Sequence, residues 1–143
     1  MATSFTYATW TPDMATGNAI VDDQHKQLID SLNQLFDAHK SGKGSKEVKR
    51  MMIFLVDYTV KHFTEEEGIL TKYNYPDLDN HKKIHANFTA TAKNLLQDLL
   101  QDIASGGPSD EMITNVYVIV GKWVISHIKV QDTKWAEFVK SQK

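Results

Sequence analysis

The sequence predicts an all-α protein, an up-down-up-down four-helix bundle with an N-terminal arm and a short C-terminal helical segment. Four segments carry apolar residues at the three- and four-residue spacing of a helix face. Short stretches containing Gly, Pro, Asn and Ser separate these segments, and such residues end helices. We expect the 143 residues to form one domain, with the arm at 1–17, the bundle at about 18–132 and the tail at 133–143.

The first two predicted helices have clear ends in the sequence. The first runs from about Ala19 to about Lys40, before Ser41-Gly42-Lys43-Gly44. The second has Ser45 as its N-cap and stops at Asn74-Tyr75-Pro76. The residues expected to point inward are His25, Leu28, Leu32, Leu35 and Phe36 in the first helix, and Val48, Met52, Leu55, Thr59, His62, Glu66 and Ile69 in the second.

The third and fourth predicted helices are separated by Ser105-Gly106-Gly107-Pro108. The third begins near Asp77 or Asp79, and Ser109 is the expected N-cap of the fourth. The inward residues are His81, His85, Phe88, Ala92, Leu95, Leu99 and Ile103, followed by Ile113, Val116, Val120, Trp123 and His127. After Asp132, the amphipathic piece from Trp135 to Val139 is expected to form a helical turn. The leading arm, with Phe5, Tyr7 and Trp10, is expected to pack over an end of the bundle.

The composition argues against nucleic acid and membrane partners and limits which residues could bind a metal. The formal net charge of −2 gives no excess of positive charge to attract nucleic acid or anionic lipid. The N-terminal residues do not resemble a secretion signal, and no apolar run reaches the roughly 20 residues of a spanning helix. We therefore expect a cytoplasmic protein without membrane insertion. Cysteine is absent, so any metal must be held by His and carboxylates.

Five of the six histidines fall on the apolar stripes that are expected to face inward. A buried imidazole without a partner is unfavourable, and Glu66 buried beside His62 is more so unless a cation compensates. A metal site would remove both penalties. His62 and Glu66 are four residues apart, as are His81 and His85, so each pair is about 40° apart on a helix.

His127 and Asp132 are five residues apart and would be about 140° apart on an ideal helix. Both can point inward only if the helix loosens or ends between them. We therefore expect a distortion just before Asp132. His25 belongs to the first helix, so all four helices would contribute to one site in the bundle core.

The donor set favours two metal ions. The five imidazoles and two carboxylates are too many for one ion and too few to saturate two six-coordinate ions. If Glu66 and Asp132 both bridge, together with an oxide or hydroxide, one metal has six ligands and the other has five. Zinc prefers closed four-coordinate sites, and Mg or Ca prefer oxygen, so iron is the better choice. A small diatomic molecule could bind at the open position.

Four motifs in order resemble the bacterial hemerythrin family over nearly the whole chain from Trp10 onward. Trp10, Gly17 and Asp22-x-x-His25 come first, followed by His62-Phe63-x-x-Glu65-Glu66. Tyr75-Pro76 then precedes His81-x-x-x-His85-x-x-Phe88, and His127-x-x-x-x-Asp132 comes last.

The resemblance implies a non-haem pair of iron ions, cycling between Fe²⁺ and Fe³⁺ and bridged by two carboxylates and an oxide or hydroxide. His81, His85 and His127 would hold the saturated iron and His25 and His62 the open one, with Glu66 and Asp132 as bridges. The resemblance also puts Trp123 in the oxygen pocket, with Leu28, Phe63 and Ile128 as neighbours.

The resulting hypothesis is a protein that binds dioxygen reversibly, for oxygen transport, storage or buffering, and has no catalytic residues. Weak oxidase or peroxidase side activity stays open. The alternatives are a di-iron enzyme that removes peroxide or nitric oxide or oxidises substrates, and an oxygen or redox sensor acting through a partner. We expect a monomer, with an oxygen-consuming protein as a transient partner.

Two further assignments concern residues near the site. His39, near the end of the first helix, is expected to be a solvated or helix-capping histidine rather than a ligand. Asp22, Gln24, Tyr58 and Thr59 are near enough in sequence to orient a ligand imidazole, and the sequence does not choose among them.

Overall fold

Four long helices lie side by side in the computed structural model, which describes residues 8–142 of the chain. They are α1 (Ala19–Lys40), α2 (Ser45–Lys72), α3 (Leu78–Ala104) and α4 (Asp110–His127). α1 packs against α2 and α4, and α3 packs against the same two helices. Because short loops join consecutive helices, neighbours run antiparallel. The predicted all-α four-helix bundle is confirmed.

Side-chain caps fix two of the helix starts. The Asn18 side chain accepts hydrogen bonds from the N–H groups of Ile20 and Val21, which have no partner within α1. Ser109 Oγ accepts a hydrogen bond of 3.1 Å from the N–H of Met112 at the start of α4. The sequence predicted Ser109 as this cap, and the structure confirms it.

The start of α2 differs from the prediction by one residue. Ser45 is the first residue of the helix, and the cap position belongs to Gly44, which makes no side-chain hydrogen bond. Gly44 has a φ of 94°, a left-handed conformation that glycine adopts without steric cost. The turn can therefore close before Ser45, and the prediction of Ser45 as N-cap was wrong.

Apolar side chains from all four long helices form a large core along most of the bundle. A second, smaller apolar cluster is separate from this core and involves α5. It consists of Val21, Leu70, Tyr75, Trp135 and Val139. The predicted inward residues are buried with four exceptions that are half-buried, namely Phe36, Ile69, Ile103 and Trp123. Among residues 8–142 no helix is both long enough and apolar enough to cross a bilayer.

The fourth helix continues beyond α4 without a break. A π-turn, Ile128–Asp132, follows directly, and α5 (Thr133–Ser141) follows the turn. The N–H of Thr133 donates to the carbonyl of Ile128, five residues earlier, which is the bonding pattern of a π-helix. The distortion expected before Asp132 is this π-turn. α5 is longer than the predicted piece from Trp135 to Val139.

The described part of the N-terminal arm packs against the bundle. Met14 ends a short 3₁₀ turn, Pro12–Met14, and its side chain is fully buried in the large core. Trp10 packs against the same core, and Lys26 Nζ lies 4.4 Å from the centre of its ring. Phe5 and Tyr7, which were also predicted to pack over the bundle, lie outside the described residues.

The caps give a test of the fold. Replacing Ser109 by Ala leaves the N–H of Met112 without its partner, so we expect the free energy of unfolding to fall by about 1 kcal/mol. Chemical denaturation measures this change. The matched control is Ser45→Ala, which removes a hydroxyl at a helix start where the structure has no side-chain cap. A loss of equal size in the control would contradict the assignment of the caps.

Candidate metal centre

The seven side chains predicted as ligands meet inside the bundle, and all seven are buried. Their donor atoms form two groups, in each of which the atoms lie within 4.8 Å of one another. The first group contains His81, His85, His127, Glu66 and Asp132, and the second contains His25, His62, Glu66 and Asp132. The two carboxylates belong to both groups, so the groups are adjacent.

The helices place these side chains by simple periodicity, except for Asp132. His62 and Glu66 lie one turn apart on α2, with His62 Nε2 at 3.1 Å from Glu66 Oε2. In the π-turn, hydrogen bonds to the fifth residue bring Asp132 back over His127, and 3.2 Å separates Asp132 Oδ1 from His127 Nε2. A regular helix would have turned the Asp132 carboxylate away from the site.

The two oxygens of Glu66 face different groups of histidines. Oε2 lies 3.1 Å from His62 Nε2 and 3.6 Å from His25 Nε2. Oε1 lies 2.7 Å from His81 Nε2 and 3.3 Å from His85 Nε2. Glu66 therefore stands between the groups, with one oxygen toward each.

The two oxygens of Asp132 also face different groups of histidines. Oδ2 lies 3.0 Å from His25 Nε2, while Oδ1 lies 3.4 Å from His81 Nε2 and 3.2 Å from His127 Nε2. Trp135 Nε1 donates a hydrogen bond of 3.2 Å to Oδ1 and so fixes the carboxylate from the α5 side. Both carboxylates are thus arranged as ligands that could contact two ions.

Several buried atoms at the site contact one another without a hydrogen bond of good geometry. They include His25 Nε2, Glu66 Oε2 and Asp132 Oδ2, which converge on the second group. Buried polar atoms are normally hydrogen-bonded, and two carboxylate oxygens and an imidazole nitrogen can all offer lone pairs to a cation. The residues present therefore fit a bound metal. Their nitrogen and oxygen donors suit a transition metal such as iron.

The close packing of these groups shifts their pKa values. Burial lowers the pKa of His25, but contacts with Asp132 and Glu66 outweigh burial and raise it to about 9. The pKa of His81 is raised to about 9 for the same reasons. Burial and the charge of Glu66 raise the pKa of Asp132, yet His127 and His25 outweigh them and hold it at about 2. The pKa of Glu66 is also well below its ordinary value, because four surrounding imidazoles outweigh burial.

Two of the histidines are oriented by hydrogen bonds from outside the cluster. His62 Nδ1 lies 2.6 Å from Gln24 Oε1. His85 Nδ1 lies 2.8 Å from Glu67 Oε2. Gln24 was one of four candidates in the sequence, whereas Glu67 was missed. The presence of a carboxylate directly after Glu66 was the available signal, but only the packing of α2 on α3 shows that it reaches His85.

The other three candidates have different partners. Asp22 Oδ1 accepts hydrogen bonds from Thr16, and Thr59 Oγ1 donates a bond of 2.7 Å to the carbonyl of Leu55. The ring of Tyr58 stacks on Phe54 on the outside of α2. None of these contacts is to a ligand imidazole.

A small cavity lies beside the second group. Its volume is about 10 Å³, and its walls include His25, His62, His127 and Asp132 together with Thr59 and Val124. The four residues predicted for an oxygen pocket also line it, namely Leu28, Phe63, Trp123 and Ile128. A space of this size holds about one water-sized molecule. The lining includes both histidines of the second group but only His127 of the first, so the cavity lies mainly on the side of the second group.

Stacked aromatic rings support the histidines of the first group. Phe63 stacks on His85 with ring centres 3.8 Å apart, and Trp123 stacks on His127 at 4.3 Å. Phe88 covers the other face of Trp123 at 3.8 Å. Phe63 and Trp123 therefore do two things, since they form cavity walls and also hold ligand rings in place.

His39 lies outside the cluster, as the sequence predicted. Its Nε2 is 2.7 Å from Asp110 Oδ1, in the first turn of α4. The sequence suggested a solvated or capping histidine at the end of α1, and the structure adds this ion pair between α1 and α4. His39 is therefore a natural control for substitutions in the cluster.

Comparisons with known proteins agree with one another. The sequence model described as "Hemerythrin HHE cation binding domain" matches residues 16–139. The chain is 31% identical to the bacteriohemerythrin of Stenotrophomonas maltophilia, covering 92% of this chain and 81% of that protein. It is also 31% identical to the bacteriohemerythrin of Methylococcus capsulatus, over 87% of this chain and 90% of that one. A crystal structure of wild-type hemerythrin matches with a TM-score of 0.75 and 28% identity, covering 90% and 95% of the two chains.

The shifted pKa values predict how the stability of the metal-free protein depends on pH. His25 and His81 each have a folded pKa of about 9, above the ordinary value of 6.5. Their contribution is complete below pH 6.5 and is lost as the pH rises through about 9. We expect the free energy of unfolding to fall over this range. The slope should approach the value for about two more protons bound in the folded state than in the unfolded state.

Urea denaturation of metal-free protein at a series of pH values measures this slope. His25→Gln should reduce it to about one proton, while His39→Gln should leave it unchanged. A metal-free protein whose stability is flat between pH 6.5 and 9 would show that these two imidazoles are not protonated in the fold.

Proposed function

The chain belongs to the hemerythrin family, and we propose that it binds dioxygen reversibly at a non-haem pair of iron ions, for oxygen transport, storage or buffering. The two buried carboxylates support this proposal, because the two oxygens of each face different groups of histidines. Glu66 and Asp132 each direct one oxygen to the group with His25 and the other to the group with His81. Two ions placed in the two groups would share both carboxylates.

The proposed ligands follow from the two groups. His81, His85 and His127 would hold one iron, His25 and His62 would hold the other, and Glu66 and Asp132 would contact both. An oxide or hydroxide between the ions is the remaining bridge that we propose. One ion then has one protein ligand fewer, and the small cavity lies beside that ion's histidines. When bound, the iron pair supplies the electrons and the open coordination position that capture of dioxygen requires.

The residues around the cavity have a separate task, which is to limit what enters. Leu28, Phe63, Trp123 and Ile128 present apolar surface, and a volume of about 10 Å³ suits a diatomic molecule rather than an organic substrate. Apolar walls keep water and protons from the site, which favours release of oxygen over permanent oxidation of the iron. Leu28, Phe63 and Ile128 are buried, and Trp123 is half-buried, so most of this wall is turned away from solvent.

The rival functions would use the same centre. A di-iron enzyme acting on peroxide or nitric oxide, and a sensor that passes oxygenation to a partner, both need the open position. Anionic oxygen ligands support highly oxidised iron, whereas this donor set is mainly neutral imidazole, with two carboxylates against five histidines. The donor set therefore supports reversible binding over oxidation of substrates.

Substitutions test the proposed ligands. Replacing His81 or Glu66 by Ala removes a donor from one group or from both, so we expect bound iron to fall below about two ions per chain. Iron analysis after anaerobic loading and desalting measures the ratio. His39→Ala is the matched control and should keep the full ratio. Equal loss of iron in the control would mean that the ligand set is wrong.

Repeated oxygenation tests the function. Protein loaded with ferrous iron without air should gain a visible absorption band when air is admitted and lose it when oxygen is removed. We expect nearly full recovery over many cycles, because the apolar cavity slows oxidation. Rapid and irreversible formation of the diferric form, or turnover with peroxide or nitric oxide, would favour the enzyme or the sensor instead.

A further inference from the structure

We propose that Gln24 and Glu65 are positioning residues for His62, with Glu65 orienting the Gln24 amide and Gln24 holding His62 through an uncharged acceptor. The inference rests on the proposed function, because His62 is one of the three histidines that line the cavity and belongs to the group with His25. Gln24 and Glu65 themselves do not belong to either group of donors. Their role would be to act on iron through His62.

The three side chains form a chain of hydrogen bonds from the surface to the site. Gln24 Nε2 donates to Glu65 Oε2, and Gln24 Oε1 lies 2.6 Å from His62 Nδ1. On the inner side of the ring, His62 Nε2 lies 3.1 Å from Glu66 Oε2. Glu65 is exposed, Gln24 is half-buried and His62 is buried, so the chain crosses the wall between solvent and the cluster.

The direction of each hydrogen bond follows from the chemistry of its partners. A carboxylate can only accept, so the end of Gln24 that faces Glu65 must be the NH₂ group. The carbonyl end of the same amide then faces His62 and can also only accept. His62 must therefore carry a proton on Nδ1, while its Nε2 faces Glu66 Oε2 in the interior. Glu65 thus determines, through the Gln24 amide, whether Nδ1 of His62 donates a hydrogen bond.

The partner of His62 differs in charge from the partner of His85. His85 Nδ1 is hydrogen-bonded to the carboxylate of Glu67, whereas His62 Nδ1 meets a neutral amide. A carboxylate partner makes an imidazole a stronger donor to a metal, and an amide does so less. His25 Nδ1, in the same group as His62, has no hydrogen-bond partner among the described residues.

Neither His25 nor His62 therefore has an anionic hydrogen-bond partner on its Nδ1. A weaker donor set favours the reduced state of the metal that it binds. We infer that the neutrality of Gln24 would favour the ferrous state of an iron held by His25 and His62. Gln24 thus has two effects on His62, since it orients the ring and it is an uncharged acceptor. Separate variants test each effect.

The first experiment needs no iron. Two-bond ¹H–¹⁵N correlation spectra of the metal-free protein report whether Nδ1 of His62 carries a proton. We expect a fully protonated Nδ1 in the native protein and a partly protonated Nδ1 in Glu65→Gln, because either end of the Gln24 amide can then face His62. Asp57→Asn removes the same charge from another exposed position on α2 and should leave Nδ1 fully protonated. An Nδ1 without a proton in the native protein, or no change in Glu65→Gln, would overturn the orienting role.

The second experiment moves the charge while keeping the hydrogen bonds. In the double variant Gln24→Glu with Glu65→Gln, residue 65 can donate to residue 24, which still accepts from His62. We expect the Nδ1–H form to be retained, while the iron-loaded protein oxidises irreversibly in air about tenfold faster. Gln24→Leu should instead release iron to a chelator about tenfold faster, since His62 loses its orientation.

The outcomes separate this inference from the proposed function. An oxidation rate in the double variant equal to that of the native protein would overturn the role assigned to neutrality. A native protein that binds no iron would contradict the proposed function, while the tautomer spectra would still decide whether Glu65 and Gln24 orient His62.

Discussion

Two carboxylates buried beside each other govern how the four helices can pack. Glu66 and Asp132 are both fully buried, and each would be strongly unfavourable in an apolar core without compensating positive charge. Five imidazoles surround them, drawn from all four long helices. Each long helix must therefore keep its register with the others. The apolar core holds that register, and the cluster in turn makes any slippage unfavourable because it would leave a buried charge without partners.

Much of this arrangement could be predicted from periodicity. Four apolar stripes gave the helices, and the placement of His25, His62, His81, His85 and His127 on them indicated a shared site. The spacing of His127 and Asp132 showed that the helix must be irregular, although not that the irregularity is a π-turn. The start of α2 was misplaced by one residue because serine is the commoner cap, whereas the backbone there uses the left-handed conformation of Gly44.

The contacts that the sequence could not give are those across neighbouring helices. Gln24 reaches His62 from α1 to α2, and Glu67 reaches His85 from α2 to α3. Their pairing depends on the rotation and height of one helix against the next, and no local pattern records either quantity. The same is true of the cavity, whose walls come from α1, α2, α4 and the π-turn. Its position on the side of His25 and His62 follows from how these elements pack.

The π-turn has a consequence beyond the placement of Asp132. One extra residue in a helical turn changes the angular phase of everything that follows, so the buried side of α5 is offset from the buried side of α4. Val124 faces the large apolar core, while Trp135 and Val139 face the smaller cluster with Tyr75. The continuous helix from α4 through the π-turn to α5 therefore contacts both apolar clusters. The histidines and carboxylates of the candidate metal centre include His127 and Asp132 at the π-turn, and they are buried.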